Sequence, residues 1–292
     1  MLNETMPDAT TAEDESAAAN EKEKGSALWR EIKGLFWVLL AVLAFHSLIA
    51  KPFYIPSESM MPGLLTGDRL VVTKYPYGWS WVSPSFHIIG PMKGRLFGQM
   101  PKRGDIVIVT PPGTRTDYIK RVIGLPGDTL RMVDGQLYIN GQAVKRQVLP
   151  PDMIPIDVNS PCGSDHDPAL YNFRVRGSDG RMYCKVPVVR ETLPDGHSYE
   201  TVDLGPSSED NFAAVTIPEG HVWLMGDNRD DSADSRVPEW QGGLGGPVPW
   251  ENIGGRAEFI TFSLDGTSNW WNPISWIEAL RHGRAGTSLR DS

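Results

Sequence analysis

A serine and a lysine in separate short segments are the residues of this sequence whose types and surroundings indicate catalysis. Ser59 lies in PSESMMPGL, although serines in proline-flanked turns mostly hydrogen-bond the nearby backbone. Lys120 lies in DYIKRVIGLPGD, where strand alternation places it between Tyr118 and Val122 on one face. Burial of that face would lower the pKa of Lys120 and let it act as a general base. On an edge strand the same lysine would snorkel into solvent.

A third segment, GDNRDDSADSR at residues 226–236, concentrates four acids, two arginines and two serines in eleven positions. It fits a solvated loop or a calcium site, because carboxylate and amide oxygens are the ligands that Ca²⁺ binds. The spacing of an EF-hand loop, with its terminal Glu, is missing. The density of charge behind the apolar strand VWLM therefore favours a functional loop, with calcium as the weaker interpretation.

These segments, together with two others, resemble the ordered motifs of bacterial type I signal peptidases, a family that uses a Ser/Lys dyad. All of them follow an N-terminal apolar stretch in the order of the family. They are PSESMMPGL at 56–64, GDRLVVTK at 67–74, RGDIVIV at 103–109, YIKRVIGLPGD at 118–128 and GDNRDDSADSR at 226–236.

The resemblance implies a role for the polar residues of these motifs. Ser59 would be the nucleophile and Lys120 the general base, while Ser57 and the backbone N–H of Ser59 would form the oxyanion hole. Ser232 would orient Lys120. Two ion pairs would brace the site without reacting, namely Asp227 with Arg121 and Asp234 with Arg236.

Three positions depart from the pattern of that family. Gly63 stands where Thr is usual, Glu58 where a small residue is common, and Asp231 where Asn is usual. None of them belongs to the dyad. Glu58 places a carboxylate beside the nucleophile, where it could alter the local field or the accepted substrates.

The chain before Ser59 predicts a membrane anchor. Residues 1–33 hold eight acidic and four basic residues among many Ala and Thr, which predicts a disordered tail. Residues 35–50 carry no formal charge and reach roughly 24 Å as a helix, slightly less than a membrane core of about 30 Å. Flanking residues would complete a transmembrane helix over 34–50. A buried core helix would show a polar stripe and a cleaved export signal would show a small-x-small site, and both features are missing from the run.

Composition and turn signals predict that the rest of the chain is mainly β. The 24 Pro and 30 Gly, with Pro-Gly, Asp-Gly and Asn-Gly pairs between short apolar runs, favour strands and turns over long helices. Asp134-Gly135 is a β-hairpin signal. Strands are predicted at 68–74, 105–110, 118–124, 129–133, 136–139, 222–225 and 256–262.

These strands predict an antiparallel β-sheet catalytic core with an inserted β-rich subdomain, on a single N-terminal transmembrane helix. The core comprises residues 51–140 and 217–269, and the polar stretch 141–216 is the insertion. Cys162 and Cys184 lie in the insertion as free thiols or as one disulfide, which an oxidising compartment would favour.

The last segment, residues 270–292, is rich in tryptophan and too short and charged to span a membrane. Trp270, Trp271 and Trp276 either lie at a membrane interface or pack on the domain. The basic residues before the predicted span modestly outnumber those soon after it, which favours the tail inside and the domain outside.

Other functions are compatible with parts of the sequence. The formal charge of -8 argues against a nucleic-acid partner. A Ser-His-Asp hydrolase would need a histidine, and His221 is the only one near a motif among His46, His87, His166, His197, His221 and His282. A non-catalytic membrane-tethered β-domain binding protein, a maturation peptidase for one dedicated exported substrate and a self-cleaving protein of the related repressor type remain as alternatives.

The resemblance implies a membrane-bound endopeptidase that removes signal peptides from exported preproteins and cuts after a small residue. It would be a single-pass protein of the bacterial cytoplasmic (inner) membrane, with its catalytic domain on the periplasmic side and in contact with the lipid bilayer. No cofactor is expected. The preferred preproteins and the oligomeric state are left open by the sequence.

Overall fold

The N-terminal unit is one long helix. The computed structural model describes residues 9–85, 90–163 and 169–290, and the chain divides into two compact units, residues 1–46 and 47–292. Helix α1 runs over Ala9–Leu48, and its 20-residue stretch Trp29–Leu48 is long and apolar enough to cross a membrane. The structure is helical from Ala9, where composition predicted a disordered tail, because the many Ala, Glu and Lys residues there have high helix propensity. Residues 1–8 of that tail lie outside the described residues.

The second unit is built mainly from strands. A short helix, α2 (Pro273–Glu278), follows them near the C-terminus. The strands are β1 (Ala50–Tyr54), β2 (Asp68–Thr73), β3 (Ile106–Val109), β4 (Tyr118–Gly124), β5 (Thr129–Val133), β6 (Gln136–Ile139), β7 (Gln142–Ala143), β8 (Lys145–Val148), β9 (Asp152–Pro155), β10 (Arg174–Arg176), β11 (Met182–Val186), β12 (Val188–Thr192), β13 (Ser198–Val202), β14 (Phe212–Thr216), β15 (His221–Met225), β16 (Val248–Pro249) and β17 (Ile253–Ser263).

The main sheet has seven antiparallel strands in the order β1-β2-β17-β3-β4-β15-β16. Alternate residues of β3 enter two different buried clusters, Ile108 in one and Val107 in the other, so the sheet is covered on both faces. Strand β4 lies inside this sheet, between β3 and β15. Its polar residues Lys120 and Arg121 are therefore both buried, although they point to opposite faces.

Three smaller sheets complete the unit. One has the order β10-β11-β9, another the order β13-β12-β8, and a third the order β14-β5-β6-β7. The hairpin β5–β6 turns at Asp134-Gly135, as predicted, and both residues have a positive φ. This hairpin pairs with β14 of the predicted insertion, and not with the main sheet, so the boundary between core and insertion differs from the predicted one.

A disulfide joins Cys162 to Cys184 within the insertion, 22 residues apart in sequence. Both cysteines belong to a buried cluster that also contains Met61 and Leu65, which follow Ser59 closely in the chain. The cross-link therefore contributes to the core that supports one side of the Ser59 segment.

The C-terminal segment packs on the domain through charged side chains. Trp270 and Trp271 remain 76% and 88% exposed, so their contact with a membrane stays a prediction. The arginines of the segment pair with carboxylates of the domain, namely Arg281 with Asp157, Arg284 with Asp68 and Arg290 with Glu258.

We expect the combined change Cys162→Ser and Cys184→Ser to lower the free energy of unfolding by about 2–4 kcal/mol, because the cross-link restricts the unfolded chain. Urea unfolding of the full chain in detergent measures this change. Reductant should give the same loss in the wild type and no further loss in the double variant. Equal stability of wild type and double variant would show that the disulfide contributes nothing to folding.

Candidate active site

Ser59 is held in a tight turn between two buried clusters. The N–H of Met61 donates to the carbonyl of Glu58 and that of Leu64 to the carbonyl of Met60, which winds the chain into a helical turn. Met60 and Leu64 insert into the core beneath the main sheet, whereas Met61 inserts into the disulfide-linked cluster. Because both sides of the turn are anchored by apolar side chains, the position of Ser59 is well defined.

Lys120 lies directly beside Ser59. Its Nζ donates a hydrogen bond to Ser59 Oγ at 2.9 Å, and the two residues are only 3% and 8% exposed. Burial lowers the pKa of Lys120 to about 8, while the carboxylates of Asp234 and Asp231 oppose that effect. The contact joins a hydroxyl to a lysine whose neutral form is accessible near neutral pH.

A cavity of about 320 Å³ opens onto this pair. Ser57 lines it, and Ser57 Oγ lies 3.4 Å from Ser59 Oγ. The lining is mainly apolar, and most of its residues come from two stretches of chain, 53–57 and 116–120. The cavity therefore presents both hydroxyls at the wall of a cleft that an extended apolar peptide can enter.

The acid-rich segment GDNRDDSADSR contacts the backbone around Ser59. The N–H of Asn228 donates to the carbonyl of Ser59 at 3.1 Å, and the side-chain amide of Asn228 donates to the carbonyl of Glu58 at 3.3 Å. A Cβ on Gly226 would lie 2.1 Å from Ser232 Oγ and 2.5 Å from the carbonyl oxygen of Ser59. Only glycine fits at position 226, because its backbone packs directly against the carbonyl of Ser59 and the side chain of Ser232.

Ser232 is buried against Gly226, but the structure gives its Oγ no hydrogen bond with Lys120 or with another described residue. Its expected role in orienting Lys120 stays a prediction. By contrast, the predicted pairs of the loop are present. Arg121 forms a bidentate ion pair with Asp227 at 2.7 and 2.8 Å, and Arg236 binds Asp234 at 2.9 and 3.0 Å.

Three carboxylates of this loop, those of Asp227, Asp230 and Asp234, are bonded to arginines or backbone N–H groups. Asp230 accepts from the N–H of Leu204, and Asp234 accepts from that of Gly226 in addition to its arginine. Within residues 9–85, 90–163 and 169–290, no cluster of three or more His, Cys, Asp or Glu is arranged to hold a metal ion. The calcium interpretation of the loop therefore has no geometric support in the described chain.

No histidine is found among the described residues that line the cavity at Ser59. His221 instead contacts the carbonyl of Glu219 through Nδ1 at 3.0 Å. His87 and His166 lie outside the described residues. Of the three departures from the family pattern, Asp231 lines the cavity, Glu58 is half-buried beside Ser59, and Gly63 accepts a hydrogen bond from Arg284.

Two residues of the site were missed by the sequence interpretation. Arg229 is buried within the acid-rich loop, and its guanidinium forms a bidentate pair with Glu191 of β12. The signal for Glu191 was present, because strand alternation places it on one face with the apolar Val189 and Leu193. No signal in the sequence showed that its partner would be Arg229, 38 residues away.

Comparison with known proteins gives the family of the chain. The family model described as signal peptidase, peptidase S26, matches residues 28–262. A signal peptidase I of Rickettsia typhi is 36% identical over 280 residues, which cover 89% of this chain and 93% of that protein. A signal peptidase I of Rickettsia bellii is 35% identical over 289 residues, which cover 92% of this chain and 88% of that protein.

Among solved structures, a signal peptidase I of Enterococcus faecalis V583 is 23% identical and covers 54% of this chain and 97% of that chain. Its TM-score is 0.27, which is too low to add to the assignment. The match of the family model over most of the chain, together with relatives similar over nearly their whole length, is sufficient. The chain belongs to the signal peptidase family, peptidase S26.

Proposed function

We propose that this protein is a membrane-bound endopeptidase that removes signal peptides from exported preproteins by a Ser59/Lys120 dyad. The observation that carries the proposal is the buried hydrogen bond of 2.9 Å between Lys120 Nζ and Ser59 Oγ. Serine is a weak nucleophile unless a neighbouring base takes its proton, and a lysine is such a base only when it is neutral. Burial supplies the neutral lysine at this position.

The reaction follows from these positions. Neutral Lys120 accepts the proton of Ser59 Oγ as that oxygen attacks the scissile carbonyl carbon. The Ser57 hydroxyl and the backbone N–H of Ser59 stabilise the oxyanion, and protonated Lys120 returns its proton to the leaving amine. Water then attacks the acyl-enzyme, with Lys120 as the base, and the second product is released. Ser232 orients Lys120, and the ion pairs of Arg121 and Arg236 brace the surrounding loop.

The cleft supports an extended, apolar substrate. Ile55, Ile108 and Ile119 line the cavity beside Ser59 and offer apolar contacts to substrate side chains. Relatives of this chain are named signal peptidases, which act on signal peptides. Exported preproteins that carry an apolar signal segment and small residues at the cut are therefore the substrates that we propose.

The proposed location is the bacterial inner membrane, with the second unit on its outer side. Trp29–Leu48 has the length and composition of a single membrane span, and Ser59 follows only eleven residues after Leu48. The disulfide between Cys162 and Cys184 supports an oxidising compartment for the insertion. The basic residues before residue 34 modestly outnumber those soon after residue 50, which supports the same orientation.

Cleavage of a purified preprotein in detergent tests the dyad. We expect Ser59→Ala and Lys120→Ala to lose activity, because each removes one partner of the proton transfer, whereas His221→Ala should stay active. The product ends, mapped by mass spectrometry, should follow a small residue. Full activity of Lys120→Ala would contradict the dyad, and loss of activity in His221→Ala would favour a triad. Comparing several preproteins separates a general enzyme from one dedicated to a single substrate.

The pH dependence of kcat/KM tests the protonation state. Activity should rise with pH through a midpoint near 8 and reach a plateau above it, because only neutral Lys120 accepts the proton. In Asp231→Asn the midpoint should move to lower pH, since the carboxylate of Asp231 raises the pKa of Lys120. A rate that is independent of pH between about 7 and about 9, roughly one pH unit on either side of the midpoint, would exclude Lys120 as the base.

We expect Ser57→Ala to lower kcat by about 100- to 1000-fold, as is typical when one oxyanion donor is removed. Ser57→Thr is the matched control, because it keeps the hydroxyl and should retain most of the activity. Single-turnover kinetics should place the loss in the acylation step. Equal activity of wild type and Ser57→Ala would show that Ser57 does not contact the oxyanion.

A further inference from the structure

Glu191 is a buried carboxylate of the inserted subdomain that the proposed mechanism does not use. It lies on β12, is 1% exposed, and accepts two hydrogen bonds from Arg229, at 2.9 Å from Nη1 and 2.7 Å from Nη2. The hydroxyl of Tyr199, on the neighbouring strand β13, donates to the same carboxylate at 2.9 Å. Strands β12 and β13 of the insertion thus hold a buried carboxylate that binds the guanidinium of Arg229.

Arg229 connects this carboxylate to the nucleophile segment. Its Nε donates to the carbonyl of Gly226 at 3.2 Å, so the three nitrogens of its fork are all engaged. The backbone of Gly226 packs between Ser232 and the carbonyl of Ser59. Asn228, which precedes Arg229, donates a hydrogen bond from its N–H to the same carbonyl of Ser59. The path from Glu191 to Ser59 therefore consists of direct contacts.

The insertion also fixes this stretch through its backbone. The N–H of Arg229 donates to the carbonyl of Val202, and the N–H of Val202 donates to the carbonyl of Asp227, each at 2.9 Å. The ring of Tyr199 lies 4.4 Å from the guanidinium of Arg121, which pairs with Asp227. Residues 226–229 are therefore held from two sides, by the main sheet and by strands β12 and β13.

We infer that Glu191 is a positioning residue for the Ser59/Lys120 dyad, acting through Arg229 and the Gly226 peptide. The inference rests on the proposed function. Because the fork of Arg229 is planar and bidentate, it has a defined orientation only while the carboxylate faces it. Without that carboxylate the buried guanidinium must find another partner, and the Gly226 carbonyl loses a donor whose position depends on Glu191. Strand β12 of the inserted subdomain then positions the dyad through this one side chain.

The same strands provide a matched control. Arg190 and Glu200, neighbours of Glu191 and Tyr199, form an ion pair of 2.8 Å across β12 and β13, but it is exposed to solvent. Exposed pairs contribute little to stability and this one contacts no residue of the acid-rich loop in the path above. Glu191→Gln and Glu200→Gln each remove one carboxylate from neighbouring strands of one sheet. Only Glu191→Gln removes the partner of Arg229.

The experiment measures kcat and KM of the two variants on a preprotein in detergent, with the folded fraction determined by near-UV circular dichroism. We expect Glu191→Gln to lower kcat per folded molecule by about 10- to 100-fold with KM within about twofold, because a small displacement of the dyad affects the chemical step. Glu200→Gln should match the wild type. Glu191→Asp, which keeps the charge on a shorter side chain, should recover part of kcat.

Other results would overturn the inference. It fails if Glu191→Gln loses thermal stability but keeps the kcat of the wild type per folded molecule, or if Glu191→Asp is no better than Glu191→Gln. If Glu191→Gln does not fold, Tyr199→Phe replaces it, since that change keeps the carboxylate of Glu191 and removes only the hydroxyl that donates to Glu191 and accepts from Arg229. It should lower kcat by about 3- to 10-fold, and an unchanged kcat would again overturn the inference.

Failure of the proposed function is distinguishable within the same series. Wild type and Ser59→Ala are measured alongside the variants, and the proposed function fails if the wild type does not cleave or if Ser59→Ala does. Both of these outcomes are read from the wild type and Ser59→Ala alone, without the comparison of Glu191→Gln with Glu200→Gln. If the dyad holds and only the Glu191 comparison fails, the insertion has a structural role alone.

Discussion

The proposed mechanism depends on one requirement, namely that a lysine be buried enough to lose its own proton and close enough to a hydroxyl to accept the proton of that group. Lys120 meets it from a strand that is covered on both faces, with Nζ 2.9 Å from Ser59 Oγ. The adjacent residue, Arg121, is equally buried, but its guanidinium forms a bidentate ion pair with Asp227. The two neighbouring basic residues of β4 thus differ in the partner that each one faces.

The residues around Ser59 and Lys120 hold these two side chains in position. The Ser59 turn is anchored by apolar side chains in two buried clusters, one under the main sheet and one that contains the disulfide. The acid-rich loop contacts the turn through its backbone, and its arginines pair with Glu191 of β12 and with Asp234 of the loop itself. Because buried charges are costly unless they are paired, these pairs favour the arrangement seen in the structure. That arrangement places the loop against Ser59.

Much of this could be predicted from sequence, because the signals are local. Alternation and turn residues located β4 and the hairpin at Asp134-Gly135, and the motifs brought Ser59 and Lys120 to notice. Alternation predicts one buried face for β4, but its burial on both faces depends on strands that lie far away in the chain. The strand β1 was missed, since Lys51 and Pro52 interrupt the apolar pattern and proline within a run argues against a strand.

Long-range pairing was the part that sequence could not supply. The pairing of β14 with β5 joins segments about 80 residues apart, and no local pattern specifies it. The pair of Glu191 with Arg229 is of the same kind, since a carboxylate on an apolar face predicts only that some partner exists. For this reason the insertion looked like an accessory to the catalytic core, whereas its strands contact the loop that holds Ser59.

The most direct test of the account is an NMR titration of Lys120 in the full chain in detergent, with ¹³C-labelled lysine and Lys120→Gln for assignment of the signal. Burial also lowers the pKa of Lys74 to about 8, so the Lys74 signal must be assigned separately to avoid confusion with that of Lys120. We expect the Lys120 signal to titrate with a midpoint near 8. A midpoint near 10.5, the value of a solvated lysine, would contradict the account, because the lysine would then be charged when the enzyme has to use it as a base.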